Sequence, residues 1–213
     1  MSSYQYIVIE GNIGAGKTTL TKMIAEKHNA RQLLEDFADN PFLPKFYEEP
    51  DKYAFTLEMA FMADRYKQLS EGIQEQELFR QFTISDYYFM KSLIFSKHTL
   101  NNAEYKLYRQ FFHIIYKQLP QPDLYVYLHH DIDRLLANIK KRGRNYEQNI
   151  NAEYLTRVQN SYFDFFKESK GRFPFLIIDC SQIDFVQNSN DFRLLENAIL
   201  EKEYSEPITR LLL

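Results

Sequence analysis

Between the apolar run Tyr6-Ile7-Val8-Ile9 and a stretch with helically spaced apolar residues lies Gly11-Asn12-Ile13-Gly14-Ala15-Gly16-Lys17-Thr18, a match to G-x-x-x-x-G-K-[ST]. No other part of the chain limits the fold as tightly. A strand must deliver the backbone into a loop whose N–H groups curl inward, and a helix must leave it with its N-terminus aimed at the same point. The chain has 6 glycines, and Gly11, Gly14 and Gly16 sit together here, which implies a backbone requirement rather than chance composition. Such a loop is built for a polyphosphate. Residues Gly11 to Thr18, with Thr19 next to them, are expected to cradle a nucleoside triphosphate. Lys17 adds a cation at the β- and γ-phosphates, and the Thr18 hydroxyl is offered to magnesium.

The rest of the pattern alternates. Leu20, Met23 and Ile24 give helical spacing over 17–27. Strands are expected at Gln32-Leu33-Leu34, Phe82-Thr83-Ile84-Ser85, Leu124-Tyr125-Val126-Tyr127-Leu128 and Phe175-Leu176-Ile177-Ile178. Helices are expected over 55–69, 88–95, 103–119, 132–141 and 152–167, while Pro41 and Pro44 read as a break. With the first strand this makes a five-stranded parallel sheet in one α/β domain over 1–213, with helices on both faces. Ligands of such sheets bind beyond the carboxyl ends of the strands, where Glu10, Glu35, Asp86 and His129-His130-Asp131 fall. The His-His-Asp triplet is rejected as a metal site, because adjacent residues point apart and no third ligand stands at useful spacing.

Composition closes off several classes. A hydrophobic content of 45%, with 18 Phe and 16 Tyr, can fill a core. A net charge of −3 disfavours a general nucleic-acid surface. The single cysteine, Cys180, cannot form an intrachain disulfide and reads as a buried small hydrophobe. No basic-then-apolar leader opens the chain, and no apolar run approaches about 18 residues. A cytoplasmic protein without a membrane partner is the expectation. There is no N-K-x-D element for a GTPase and no apolar strand ending in Asp-Glu for a motor ATPase. The size suits an enzyme that moves the γ-phosphoryl to a small acceptor.

Beyond the phosphate loop, several motifs stand in order. These are Glu35 after the second strand, Tyr47-Glu48-Glu49-Pro50-Asp51-Lys52-Tyr53-Ala54-Phe55-Thr56-Leu57-Glu58, Arg65, Asp86, and the basic run Lys140-Lys141-Arg142-Gly143-Arg144-Asn145-Tyr146-Glu147. From Tyr6 to about Cys180 the chain resembles the deoxyribonucleoside kinases, the family of deoxycytidine, deoxyguanosine and deoxyadenosine kinases. The resemblance implies ATP as donor with magnesium, a deoxyribonucleoside phosphorylated on its 5′-hydroxyl, and a homodimer, for which the helices near 55–69 and 103–119 are candidates. It implies that Glu35 is the general base, taking the proton of the attacking hydroxyl. A short lid over about 140–148 closes on the donor, with Arg142 and Arg144 stabilising transition-state charge. Tyr47 and Glu147 hold the 3′-hydroxyl. Asp86 helps to hold magnesium through water. The family Arg that follows this acid is replaced here by Tyr87, so Arg65 or a lid arginine is the candidate substitute.

Glu58 departs from the Gln of many relatives. An ionised carboxylate only accepts hydrogen bonds, and guanine offers it two adjacent donors, whereas adenine and cytosine place an amino group beside an acceptor. A purine acceptor is the expectation, deoxyguanosine ahead of deoxyadenosine, with Arg65 two helical turns on as a further donor or as the ion-pair partner of Glu58. Phe42, Phe61, Phe82, Phe89 and Phe112 are candidates to stack on the base, or simply to fill the core. Two rivals remain. One is a nucleoside monophosphate kinase similar to thymidylate kinase, disfavoured because no cation follows Asp86. The other is a non-catalytic nucleotide-binding protein, which would have no use for Glu35 as a base.

Overall fold

The computed structural model describes residues 4–36, 40–74, 80–144, 147 and 149–213. Asn145, Tyr146 and Gln148 of the expected lid lie outside the described residues. In chain order the elements are β1 (Tyr6–Gly11), α1 (Lys17–His28), β2 (Arg31–Leu33), α2 (Leu43–Glu48), α3 (Pro50–Gln74), β3 (Thr83–Ser85), α4 (Lys91–Thr99), α5 (Asn102–Tyr116), β4 (Leu124–His129), α6 (Ile132–Arg142), α7 (Ala152–Glu168), β5 (Phe175–Asp179), α8 (Ser189–Leu200) and β6 (Ile208–Leu212). The sheet runs β2-β3-β1-β4-β5-β6. β1 pairs in parallel with β3 and β4, β4 with β5, and β5 with β6.

The sheet therefore has six strands rather than five. β6 escapes a reading by apolar runs because it lies at the edge and its residues alternate between half-buried and exposed. The inner strands β1, β4 and β5 are buried almost without interruption, as burial on two sides requires. α8 is likewise additional to the expected helices. So is α2, because Pro44 falls in its first turn, where a missing N–H removes no helical hydrogen bond. Pro50 similarly opens α3, which runs further in both directions than 55–69.

The chain divides into two compact units. The first comprises residues up to Gln32, the segment ending at Asp86, and everything from Gln121 onward. Its core joins Ile7, Ile9, Leu20, Ile24, Val126, Leu128, Ile178 and Cys180 among others. Tyr125, Tyr127, Tyr162, Phe166 and Phe175 are fully buried, with rings such as Phe166 and Phe175 4.9 Å apart. Each such side chain contributes about 1.5–3 kcal/mol through burial. The second unit runs from Leu33 through α3, and from Tyr87 to Pro120. It packs Leu57, Met62, Leu69, Tyr87, Tyr88, Phe89 and Phe112 inside, with Phe89 and Phe112 stacked at 4.8 Å.

Candidate active site

In the first unit, β1 runs straight into the phosphate loop. Gly14 and Gly16 take φ of +84° and +81°, and Gly16 serves as the left-handed N-cap of α1. A Cβ on Gly14 would stand 2.8 Å from the Leu135 carbonyl oxygen, and one on Gly16 would stand 2.8 Å from the Phe185 ring. Both glycines are thus required twice, by conformation and by space. Asn12 braces the loop: its Nδ2 donates to the Leu155 carbonyl (2.8 Å) and its Oδ1 accepts from the Ile13 N–H (2.9 Å). Asn138 of α6 donates to the Gly14 carbonyl (2.9 Å), and Lys17 Nζ to the Asn12 carbonyl (2.9 Å). The first turn of α1 has no acidic residue and no side-chain cap, so its dipole and N–H groups suit an anion.

Asp86 follows β3 and is buried, and its carboxylate accepts a hydrogen bond from the Thr18 hydroxyl. A carboxylate and a hydroxyl are hard oxygen donors of the kind magnesium takes together with phosphate oxygens. Ala15 and Thr19 share a cleft of about 220 Å³ with Arg134, Lys141, Arg142 and the segment 183–187. His130 also lines it, and burial lowers its pKa to about 4, leaving it neutral at physiological pH.

α6 stops where Gly143 adopts φ +71° and its N–H bonds the Ile139 carbonyl (3.1 Å). Arg142 and Arg144 flank that glycine and reach one carboxylate. Arg142 donates from Nε (3.0 Å) and NH2 (2.6 Å) to Glu147, and Arg144 NH1 stands 3.4 Å from it. Glu147 is itself buried, so the expected sugar ligand is held by the expected donor ligands.

The second unit holds a cluster of ions in which Arg65 and Lys91 are buried and Glu35 is largely covered. Glu35 Oε1 accepts from Arg65 Nε (2.9 Å) and NH2 (2.8 Å), and its Oε2 accepts from Lys91 Nζ. Arg65 also donates to the Ser92 hydroxyl (2.9 Å). Arg65 is thus ion-paired with Glu35 rather than with Glu58. Burial alone would raise the Glu35 pKa, but the Lys91 ammonium and the Arg65 guanidinium outweigh it and hold the carboxyl down at about 2. Glu58 behaves oppositely. It is 4% exposed, Oε2 accepts no hydrogen bond from the described residues, and burial pushes its pKa up to about 7 against the pull of Arg65 and a hydrogen bond with Thr99. Tyr108 of α5 donates to the Glu58 backbone carbonyl (3.3 Å). Tyr47 lies on α2, 47% exposed, its ring edge-on to Phe46 at 5.5 Å.

Among the stacking candidates, Phe82, Phe89 and Phe112 are core residues. The Phe61 ring faces the Arg65 guanidinium at 5.3 Å, and the Phe42 ring faces Lys45 at 5.8 Å. The residue that sequence reasoning missed is Lys91. The signal for it was present: it is the one charge in the apolar stretch Tyr87-Tyr88-Phe89-Met90-Lys91-Ser92-Leu93-Ile94-Phe95, and a lysine there must be buried with a partner.

Residues 7–203 match the family model for deoxynucleoside kinase. A deoxyguanosine kinase of Bacillus subtilis is 35% identical over 204 residues, covering 94% of this chain and 99% of its own length. A deoxyadenosine kinase of Lactobacillus acidophilus is 30% identical over 212 residues, covering 93% and 96%. Among solved structures, a deoxyadenosine kinase from M. mycoides with bound dCMP and dCDP superposes with a TM-score of 0.77 at 26% identity, covering 91% of this chain and 97% of that one.

Proposed function

The chain belongs to the deoxynucleoside kinase family and is a phosphotransferase that uses ATP, and we propose that its preferred acceptor is a purine deoxynucleoside, deoxyguanosine ahead of deoxyadenosine. The observation that carries the choice of base is Glu58, a buried carboxylate with one oxygen that has no donor among the described residues. Ionised, it accepts from the two neighbouring donors of guanine. Protonated, it pairs one donor and one acceptor with adenine. Arg65 cannot easily serve as a base donor, since Glu35 and Ser92 already engage it.

The reaction joins the acceptor 5′-oxygen to the γ-phosphorus and breaks the bond between that phosphorus and its β-bridging oxygen. The hydroxyl proton passes to Glu35. Backbone N–H groups of residues 11–18 with the Lys17 ammonium hold the donor phosphates, with Thr19 at the edge of the cleft. Arg142 and Arg144 carry charge to the transferring group when they leave Glu147, which then binds the sugar together with Tyr47. Thr18 and Asp86 would hold magnesium, which when bound neutralises phosphate charge. We place the enzyme in deoxynucleotide salvage, in the cytoplasm, acting as a single catalytic domain.

We also propose a homodimer. Leu107, Phe111 and Ile114 of α5 are 45%, 41% and 63% exposed and share one helical face. Such a stripe on a soluble enzyme marks a contact surface. Ile114→Glu is expected to halve the mass measured by light scattering, and an unchanged mass would remove this face from consideration.

The central test offers ATP with deoxyadenosine, deoxyguanosine, deoxycytidine, thymidine and each monophosphate separately. Formation of dGMP fastest, then dAMP, is the expected result. A preference for deoxycytidine or thymidine would overturn the reading of Glu58, and transfer only to monophosphates would overturn the acceptor class.

A further inference from the structure

Glu35 has both carboxylate oxygens covered by cations, which is an awkward state for a residue that must accept a proton. The two cations are not equivalent. Arg65 is fixed at three points: two nitrogens on Oε1, a third on the Ser92 hydroxyl, and its guanidinium against the Phe61 ring. Lys91 meets Oε2 through one ammonium at the end of a four-carbon stem, with the Phe95 ring 5.5 Å away. A point charge on a rotatable stem exchanges partners readily, and a planar fork held at both ends does not.

We propose that Lys91 is a positioning residue for phosphoryl transfer, holding Oε2 of Glu35 until the acceptor hydroxyl takes its place. This rests on Glu35 being the base. While Lys91 is in place the carboxylate stays charged and oriented inside an apolar unit. Once displaced, it leaves Oε2 open toward the hydroxyl, and the proton affinity of Glu35 rises at the step that needs it. The proton moves from the hydroxyl to Oε2 of Glu35. The charged and titratable groups around this carboxylate are Arg65 and Glu58 from α3, Lys91 from α4, and Tyr108 from α5, which faces Arg65 and Glu58. Of the two cations lowering the Glu35 pKa, Lys91 has the greater effect.

The test compares Lys91→Met, Lys91→Arg and Glu35→Gln in the full chain. It reads kcat and KM for the best acceptor across pH, together with the melting temperature. In Lys91→Met the acid limb of kcat/KM is expected to rise by about one pH unit or more, because a main source of depression is gone. In Lys91→Arg the charge is kept, so the limb stays in place. The forked group is harder to displace, so acceptor KM is expected to rise about fivefold or more with little change in kcat. A Lys91→Met enzyme with the wild-type pH profile would overturn the proposal, whatever its melting temperature. If Lys91→Met does not fold, Lys91→Arg decides, and a wild-type KM there would overturn it. Full turnover by Glu35→Gln would overturn this proposal and the base assignment together, whereas failure of the lysine variants alone leaves that assignment standing.

Discussion

The phosphate loop and the ion cluster around Glu35 solve a similar problem with different materials. The loop handles charge with backbone: consecutive residues, glycines at φ near +80°, and a helix start without an acidic neighbour. Its peptide dipoles are fixed by the fold and leave few ionised side chains to desolvate. The cluster handles charge with side chains drawn from β2's exit, α3 and α4, Arg65 and Lys91 buried and Glu35 with about a tenth of its side chain exposed. Every ion there loses water and must be compensated by a partner. The cluster can therefore tune proton affinity, which backbone dipoles alone do not. Its two carboxylates, both neighbours of Arg65, are driven in opposite directions, Glu35 to about 2 and Glu58 to about 7. A carboxylate held by two cations and one held only by a hydroxyl acquire separate tasks in one environment.

The largest expected effects test that division directly. Glu35→Gln should lower kcat by roughly 10²–10⁴, the range for a general base, while leaving nucleotide affinity unchanged. Gly16→Ala should do the reverse. It forces a left-handed backbone on alanine and brings its Cβ against Phe185, strain of about 1–3 kcal/mol. Nucleotide Kd should weaken about tenfold or more, with acceptor KM little changed. Equilibrium binding of a fluorescent nucleotide beside steady-state kinetics separates the two. If both variants lose the same parameter, the molecule does not divide its labour this way.

Next in size is the choice of base. Glu58→Gln replaces a carboxylate by a group with one donor and one acceptor. A well-made pair of hydrogen bonds to a base discriminates by about 1–3 kcal/mol, so the ratio of kcat/KM for deoxyadenosine over deoxyguanosine should rise roughly ten- to hundredfold. In the wild type the same ratio should fall as pH rises through about 7, where Glu58 loses its proton. Competition between the two nucleosides at several pH values checks this. A ratio that is flat in the wild type would detach Glu58 from base selection.

The same contrast explains what could be read in the amino acids. The loop was legible because its requirement is local: Gly14, Gly16, Lys17 and Thr18 sit in sequence as they sit in space. The central strands were legible because burial on two sides writes an apolar run, and β6 was not because an edge strand writes none. Helical spacing offers Arg65 as a second donor to the base or as the ion-pair partner of Glu58, because that is the only geometry one helix supplies. The fold instead gives it Glu35, which lies on another segment. Lys91 is invisible to spacing rules for the same reason: its meaning comes from a carboxylate on a separate segment, and only its isolation among aromatic neighbours betrayed it.

The smallest expected effect concerns stability, and it sets the two carboxylates against each other. Glu35 has a folded pKa below its ordinary 4.5, so its contribution is present above about 4.5 and is lost as pH falls toward 2. Glu58 has a folded pKa above 4.5, so its contribution is complete below that value and is lost as pH rises through about 7. Between them the wild type should be most stable in mildly acidic solution as far as this cluster decides. Glu58→Gln removes only the second slope. Relative to wild type it should gain on the order of 1 kcal/mol between about pH 5 and pH 8 in urea unfolding. The amide brings its own unsatisfied donors, which shift both ends of that range equally and cancel in the difference. A gain that is the same at both pH values would mean that Glu58 does not titrate there, and its open oxygen would then have to be explained without a proton.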